Sequence, residues 1–175
     1  LLGLDRTISN FYGSGKPRLF ITKAVRYFIT GVPTSLGRQN EIELRFDDVF
    51  SRDLVMVVIN SSFFYWYWKV VGNGFQVNLC EISSLRIPDP DSLSAELRND
   101  VTRMATRLAR NRGRLSVEKS NKGIIRNVKY DLDKRLMTDL NELLDAVYQF
   151  PCRGYPFYAA KSNNLRDYSL LMQQH

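Results

Sequence analysis

Residues 57–88 read VVINSSFFYWYWKVVGNGFQVNLCEISSLRIP. This stretch places a strongly apolar run before a Gly-Asn-Gly turn, a polar Asn/Gln segment and an Ile-Pro stop. Its apolar residues do not keep to one face: Tyr65 and Trp68 fall on one side of a helix, whereas Phe63 and Trp66 fall on the other. A helix that is apolar all round is usually buried on several sides. The pattern therefore predicts a core helix over about 52–70.

Local signals set the predicted ends of that helix. Ser51 is a suitable N-cap, and Asp53 in the first turn suits the positive end of the helix dipole. Gly72 is expected to end the helix in the left-handed conformation. Beyond it we expect a strand over 75–79 and a short helical turn over 81–85.

The region upstream of the helix favours strands. Residues 18–29 are rich in β-branched and aromatic types, which predicts one or two strands there. Residues 41–46 alternate strictly between apolar and charged, as a half-buried strand does. Residues 1–15 are expected to be irregular.

The composition changes after Pro90. An apolar stripe predicts a helix of about 20 residues that begins near Asp91 or Ser92 and ends at Gly113. A second helical pattern covers 131–149, and the polar residues 114–123 between them are expected to form a loop. The predicted fold class is α+β, a mixed strand and helix body over 1–90 followed by an antiparallel α-helical hairpin over 91–150. Residues 151–175 form a tail to which no role is assigned.

Composition and charge narrow the functional classes. The net charge is +7, and residues 98–129 carry ten Lys/Arg against two acids, so the charge is concentrated there. Such a surplus favours a polyanionic partner. The single histidine is His175, which leaves little for a catalytic triad or a histidine metal site. Cys80 and Cys152 are expected to be free thiols in a cytoplasmic protein.

The ordered series in residues 10–90 resembles the specificity region of adenine-specific DNA methyltransferases of the type IIG and TaqI-like restriction–modification systems. In that family, a helix with Leu/Ile-Asn-Ser-Ser and aromatics leads to a Gly-containing turn and a short element that ends in Ile-Pro or Phe-Pro. The matching residues are Ile59, Asn60, Ser61, Ser62, Phe63, Phe64, Tyr65, Trp66, Tyr67, Trp68, Gly72, Gly74, Val77, Asn78, Glu81, Ile82, Ile87 and Pro88. The segment Lys16–Lys23 resembles the basic, aromatic strand that precedes the same helix in that family.

This resemblance implies a target-recognition module that binds double-stranded DNA. Catalysis would lie in a methyltransferase domain outside this chain, which would flip the target adenine out of the stack. We expect no cofactor in this fragment and S-adenosylmethionine in the parent enzyme, which is either a methyltransferase alone or one fused to a restriction endonuclease. The start at Leu1 rather than Met fits a fragment of a longer chain or a processed product.

Candidate DNA contacts follow from residue type. Basic residues are expected to neutralise phosphates, and side chains able to make two hydrogen bonds are expected to contact base edges. The phosphate candidates are Lys16, Arg18, Lys23, Arg26 and Lys69. The base-edge candidates are Arg38, Gln39, Asn40, Asn73 and Gln76. Asn60 and Ser61 are expected to be structural, with Asn60 satisfying a buried backbone group.

Catalytic motifs are missing from the sequence. It contains no Asn-Pro-Pro-Tyr motif, and the Gly72-Asn73-Gly74 turn follows a helix, where a cofactor loop would follow a strand. Pro88-Asp89 matches the first element of a restriction-nuclease site, but no Asp/Glu-x-Lys follows it. The fragment is therefore expected not to be an enzyme.

Two other classes remain open. A membrane-surface protein could insert an exposed aromatic helix beside basic residues, which requires Phe63, Trp66 and Trp68 to face solvent. A membrane crossing is not expected, because the longest apolar stretch is too short. A scaffold or oligomerisation module could instead use the helical hairpin. The stripe of Arg103, Arg107, Arg110 and Arg114 on the first helix fits phosphate contact, a solvated face or docking on an acidic domain.

Overall fold

The computed structural model describes residues 4, 6–24, 29–35, 37, 40–121, 125–130 and 134–149, with the backbone alone for 112–121, 125–130 and 134. The described elements, in chain order, are β1 (Arg6–Thr7), a 3-10 helix (Ile8–Phe11), β2 (Arg18–Thr22), β3 (Gly31–Val32), β4 (Glu41–Arg45), α1 (Val49–Ile59), α2 (Ser62–Val71), α3 (Leu79–Ser84), β5 (Arg86–Ile87), a second 3-10 helix (Pro90–Ser92), α4 (Ala95–Leu115), β6 (Ser116–Asn121), β7 (Ile125–Tyr130) and α5 (Lys134–Tyr148). The expected α+β class is confirmed.

A three-stranded antiparallel sheet lies at the centre, in the order β3-β2-β4. Leu19 pairs with Leu44 and Ile21 with Ile42, and these four side chains are buried on the core face. The strand predicted over 41–46 is confirmed as β4. The strand predicted over 18–29 is confirmed only over Arg18–Thr22, and residues 25–28 lie outside the described residues.

The single helix predicted over 52–70 is wrong. The structure has two helices, α1 and α2, whose axes differ by 70°. Ser61 causes the break, because its hydroxyl donates to the Val58 carbonyl at 2.6 Å and accepts from the Phe64 N–H at 3.1 Å. The first bond closes α1 and the second caps α2, so a polar side chain in the middle of an apolar run starts a new helix.

The two ends of this helical region also differ from expectation. Asp48, not Ser51, is the N-cap of α1, since its carboxylate accepts from the Ser51 N–H at 2.8 Å. The chain does leave α2 at Gly72, as predicted, but Gly72 has a φ of −92°. The left-handed residue is Gly74, with a φ of 76°.

Asn60 ties this break to the sheet. Its amide nitrogen donates to the Gly31 carbonyl at 2.8 Å, and its amide oxygen accepts from the Gly31 N–H at 3.3 Å. The edge strand β3 thereby has both backbone groups of Gly31 satisfied by one side chain. The structural role predicted for Asn60 is confirmed.

The predicted strand over 75–79 is wrong, because only an isolated bridge between Ala24 and Gln76 forms there. The short helical turn expected over 81–85 is confirmed as α3. Its first turn has a capping box in which the Glu81 carboxylate accepts from the Asn78 N–H at 2.9 Å.

The connection between α4 and α5 is not the polar loop that was predicted. Helix α4 continues through Gly113 to Leu115, and the chain then forms an antiparallel ribbon of β6 and β7. The simple α-helical hairpin is therefore not confirmed. The two helices nevertheless lie against each other, with a salt bridge of 2.7 Å between Arg107 and Asp139.

One hydrophobic core runs through the described residues on both sides of Pro90. The ring of Phe63 on α2 lies 5.1 Å from that of Tyr148 on α5, and the Arg98 guanidinium stacks over Phe50 at 4.2 Å. Phe63, Phe64 and Trp68 are fully buried, whereas Trp66 is half-buried. The aromatic residues are thus core residues, with Trp66 at its margin.

No single helix among the described residues is long and apolar enough to cross a membrane. The bent pair of α1 and α2 reaches the required length and composition only when both helices are taken together.

Candidate nucleic-acid interface

Three predicted site residues from separate segments meet at the end of β2. The backbone N–H of Lys23 donates to the Asn40 carbonyl at 3.1 Å, and the Lys23 carbonyl accepts from the Val77 N–H at 2.9 Å. Ala24 forms a bridge with Gln76 beside these bonds. Main-chain hydrogen bonds therefore hold Lys23, Asn40 and Gln76 together, although 53 positions separate Lys23 from Gln76 in the sequence.

The turn after α2 is held by its own side chain. The Asn73 amide oxygen accepts from the N–H groups of Phe75 and Gln76 at 2.9 and 3.0 Å. Gly74 supplies the positive φ that this turn needs and that other residues rarely adopt. Phe75 and Gln76 are therefore presented from a backbone of defined shape.

The buried Trp68, in the last turn of α2, supports this turn. Trp68 donates its indole N–H to the Gln76 carbonyl at 3.2 Å, while its ring is fully buried. The Lys69 ammonium lies 4.8 Å from the centre of the Trp68 ring and 5.6 Å from that of Tyr65, as in a cation–π contact. Partial burial lowers the pKa of the Lys69 amine from its usual value of 10.5.

We name these residues the amide edge: Lys23, Asn40, Lys69, Asn73 and Gln76. Glu41 adds one carboxylate to it, since Glu41 pairs with Thr22 in the sheet and accepts a 2.6 Å hydrogen bond from the Ser35 hydroxyl. The edge therefore combines two cations and one acid with three side-chain amides. Amides that donate and accept are the groups that distinguish bases by their edges.

A second set of predicted residues lies at the opposite end of β2. Arg18 pairs with Arg45 in the register, and both guanidinium groups approach the Glu43 carboxylate, at 3.6 and 2.9 Å. Lys16 is exposed in the loop just before the strand. We name Lys16, Arg18, Glu43 and Arg45 the arginine edge.

The two edges are separate surfaces. Five residue steps along an extended chain, each of roughly 3.3 Å, place the Cα atom of Arg18 about 16 Å from that of Lys23. The strand therefore separates Lys16 and Arg18 from Lys23. Arg26, Arg38 and Gln39, which were also predicted to contact DNA, lie outside the described residues.

The arginine stripe of α4 is partly engaged in ion pairs. Arg103 pairs with Asp100 on its own helix, and Arg107 pairs with Asp139 on α5. Arg110 is exposed, and Arg114 lies in the part of α4 for which only the backbone is described. Arg107 therefore has a structural contact between helices.

Arg52 and Asp53 on α1 form a buried ion pair. The Arg52 guanidinium lies 2.6 Å from the Asp53 carboxylate, and both side chains are largely buried. Burial raises the pKa of the Asp53 carboxyl above its usual value of 3.8, while Arg52 opposes that rise. Helix α1 begins at Val49, so Asp53 lies beyond the first turn in which the sequence placed it, and the expected contact with the positive end of the helix dipole is wrong. Its contact with Arg52 makes it a structural residue, because a buried charge needs a partner.

One exposed residue beside the amide edge, Phe75, was not predicted from the sequence. Phe75 has 80% of its surface exposed at the tip of the turn. The sequence placed Phe75 in an expected strand over 75–79, which would bury the ring, and the structure has only the isolated bridge at Gln76 there. Among the described residues, no group of three or more His, Cys, Asp or Glu side chains could hold a metal ion.

Comparisons with known proteins give no further guide. No protein-family model matches the chain, and neither a curated protein nor a solved structure matches it.

Proposed function

We propose that this chain is the DNA-binding target-recognition module of an adenine-specific methyltransferase from a restriction–modification system. In this proposal it reads bases in duplex DNA, while a domain outside the chain carries S-adenosylmethionine and catalysis. The parent enzyme is either a methyltransferase alone or one fused to an endonuclease. The ordered sequence resemblance supplies the class, and the amide edge supplies the surface.

The observation that carries the proposal is the convergence at Lys23. Its main-chain bonds to Asn40 and Val77 bring a cation and two amide side chains, Asn40 and Gln76, to one edge. Binding to DNA needs both kinds of group close together, because cations supply affinity for phosphates and amides supply discrimination among bases.

The roles within the edge follow from the bonds already made. Lys23 and Lys69 neutralise phosphates, and Asn40 and Gln76 contact base edges. Asn73 differs, because its amide oxygen already accepts two backbone N–H groups. It can offer DNA only the donors of its amide nitrogen, so it discriminates less than a side chain that makes two bonds to one base.

The arginine edge forms a second, weaker phosphate contact in this proposal. Its distance of about 16 Å from Lys23 is comparable with the major-groove width of about 12 Å. The two edges can therefore contact phosphates on either side of one groove. Glu43 reduces the positive charge that Arg18 and Arg45 present.

The membrane-surface alternative loses its main support. It requires Phe63, Trp66 and Trp68 to face solvent, but Phe63 and Trp68 are buried and Trp66 is half-buried. The scaffold alternative is favoured by exposed apolar residues near the amide edge, namely Val70, Val71, Phe75 and Leu79. Light scattering that shows a tight oligomer indifferent to polyanions would support it.

The test is fluorescence anisotropy with labelled random-sequence duplexes at several salt concentrations. We expect the affinity to fall with salt by a log–log slope of about 0.9 for each phosphate contacted. Gln76→Ala should leave this slope unchanged and broaden the set of sequences recovered by selection from randomised duplexes.

Asn99→Ala is the matched control, because it removes an exposed amide from α4, an element that contributes no residue to the amide edge. It should change neither the slope nor the selected sequences. Affinity that does not respond to salt, or a Gln76→Ala variant as selective as the unaltered chain, would reject the proposal.

A further inference from the structure

Phe75 is a solvent-exposed aromatic side chain on a turn of defined conformation. Its exposure of 80% is the largest of any large apolar residue in the described part of the chain. Gly74, the residue before it, has a positive φ, and the amide oxygen of Asn73 accepts from the Phe75 N–H. The ring is therefore presented outward by a turn whose shape does not depend on the ring.

The backbone after the ring is held as firmly as the backbone before it. The Gln76 carbonyl accepts the Trp68 indole N–H, and the Val77 N–H donates to the Lys23 carbonyl. The turn is thus tied both to the buried Trp68 of α2 and to the residue that follows β2. A group fixed in this way loses little conformational freedom when it binds, which favours affinity.

The charges beside the ring indicate which partner it meets. Lys69 lies on the helix that leads into the turn, and Lys23 is bonded to the residue two positions beyond Phe75. An apolar tip between cations and amides is complementary to stacked bases between phosphates. Proteins that bend DNA insert Phe or aliphatic side chains between base steps in this manner, and aromatic rings stack on bases.

We propose that Phe75 is a wedge that inserts into the base stack of duplex DNA held at the amide edge. This inference rests on the proposed function and adds a mechanism to it. By separating one base step, the ring loosens the stack beside the groove that the amides read. Val70 and Val71, exposed on the last turn of α2, then lie against the widened step.

The test compares two duplexes of the same sequence, one fully paired and one with a single-nucleotide bulge. A wedge must disrupt stacking in the paired duplex, whereas the bulge already provides a disrupted step. We expect the unaltered chain to bind the bulged duplex about tenfold more tightly, and Phe75→Ala to bind the two almost equally. Phe75→Trp should keep the preference.

Val49→Ala is the control, since it removes another exposed apolar side chain, at the start of α1. It should keep the tenfold preference. Because Phe75 and Val49 are both exposed, neither change should alter the urea midpoint of unfolding, which is measured in parallel.

The outcomes separate the wedge from the proposed function. Salt-dependent binding in which the unaltered chain and Phe75→Ala show the same ratio between the two duplexes would overturn the wedge alone. No binding to either duplex would overturn both proposals. Loss of self-association in Phe75→Ala, with the duplex ratio unchanged, would overturn the wedge and assign the ring to contact with a second copy of the chain.

Discussion

The two ends of β2 carry similar numbers of basic residues but differ in what surrounds them. At the arginine edge, Arg18 and Arg45 share the Glu43 carboxylate on the open face of a regular sheet. At the amide edge, Lys23 lies where β2 ends and where the segments of Asn40 and Gln76 join it. The regular strand pair thus places Arg18 opposite Arg45, with Glu43 between their guanidinium groups. The irregular end instead gathers side chains from three segments.

This difference shows why a cluster of cations in a sequence is a poor guide to a binding surface. Arg18 and Lys23 are five residues apart, yet the strand places them about 16 Å apart. Gln76 is far from Lys23 in the sequence, yet the residue after it, Val77, donates its N–H to the Lys23 carbonyl. Long-range backbone pairing, more than local composition, decides which residues share a surface.

The largest expected effect comes from the support beneath the amide edge. Trp68→Ala should lower the free energy of unfolding by about 3–5 kcal/mol, because the ring is fully buried and its loss leaves a cavity. Chemical denaturation followed by circular dichroism measures this. The Gln76 carbonyl also loses its hydrogen bond, so the amide edge should be the first region to gain amide hydrogen exchange.

Trp66→Ala is the comparison for this change, since that ring is half-buried and stacks on Phe63 at 6.4 Å. We expect a clearly smaller loss of stability and no added exchange at Gln76. Equal losses for the two tryptophans would contradict the packing described for α2.

A smaller effect is expected near the arginine edge, where Asp48 caps α1 just after β4. Partial burial raises the pKa of the Asp48 carboxyl, but the hydrogen bonds from Ser51 and from the Phe50 N–H and the charge of Arg98 together outweigh it, so the pKa lies below 3.8. A lowered pKa stabilises the fold above pH 3.8, and this stabilisation is lost as the pH falls through the folded-state pKa. Asp48→Ala should therefore cost about 1 kcal/mol at neutral pH and less in acid.

Denaturation midpoints across the acid range measure that effect. Asp48→Asn is the control, because an amide oxygen still caps the helix but does not titrate in this range. Duplex affinity should be unchanged in both variants, since Asp48 serves the fold. A gap between Asp48→Ala and the unaltered chain that widens in acid would contradict the capping role.

Sequence patterns predicted the regular elements where burial alternates simply. Leu44 and Ile42 alternate with charged residues, and β4 follows from that alone. The break at Ser61 could not be predicted from the apolar pattern, because the same residues suit one helix or two. The choice depends on the Ser61 and Asn60 hydrogen bonds, and Asn60 finds its partner Gly31 in a different element.

The ribbon of β6 and β7 also has a signal in the sequence. Asn121-Lys122-Gly123 separates two runs with β-branched residues, as in a hairpin. For the candidate site, the residue types at Lys23, Asn40 and Gln76 pointed to nucleic acid, but only the bridge at Ala24 places them together. Phe75 was missed because exposure depends on the whole fold.

The most direct test of the central claim is the salt dependence of duplex affinity for Lys23→Ala and Arg18→Ala, measured beside the unaltered chain. Each variant removes one positive charge. We predict that Lys23→Ala lowers the log–log slope by about 0.9, one phosphate contact, and that Arg18→Ala lowers it less because Glu43 already pairs with its guanidinium. A slope unchanged in Lys23→Ala, or a larger loss in Arg18→Ala, would contradict the assignment of DNA binding to the amide edge.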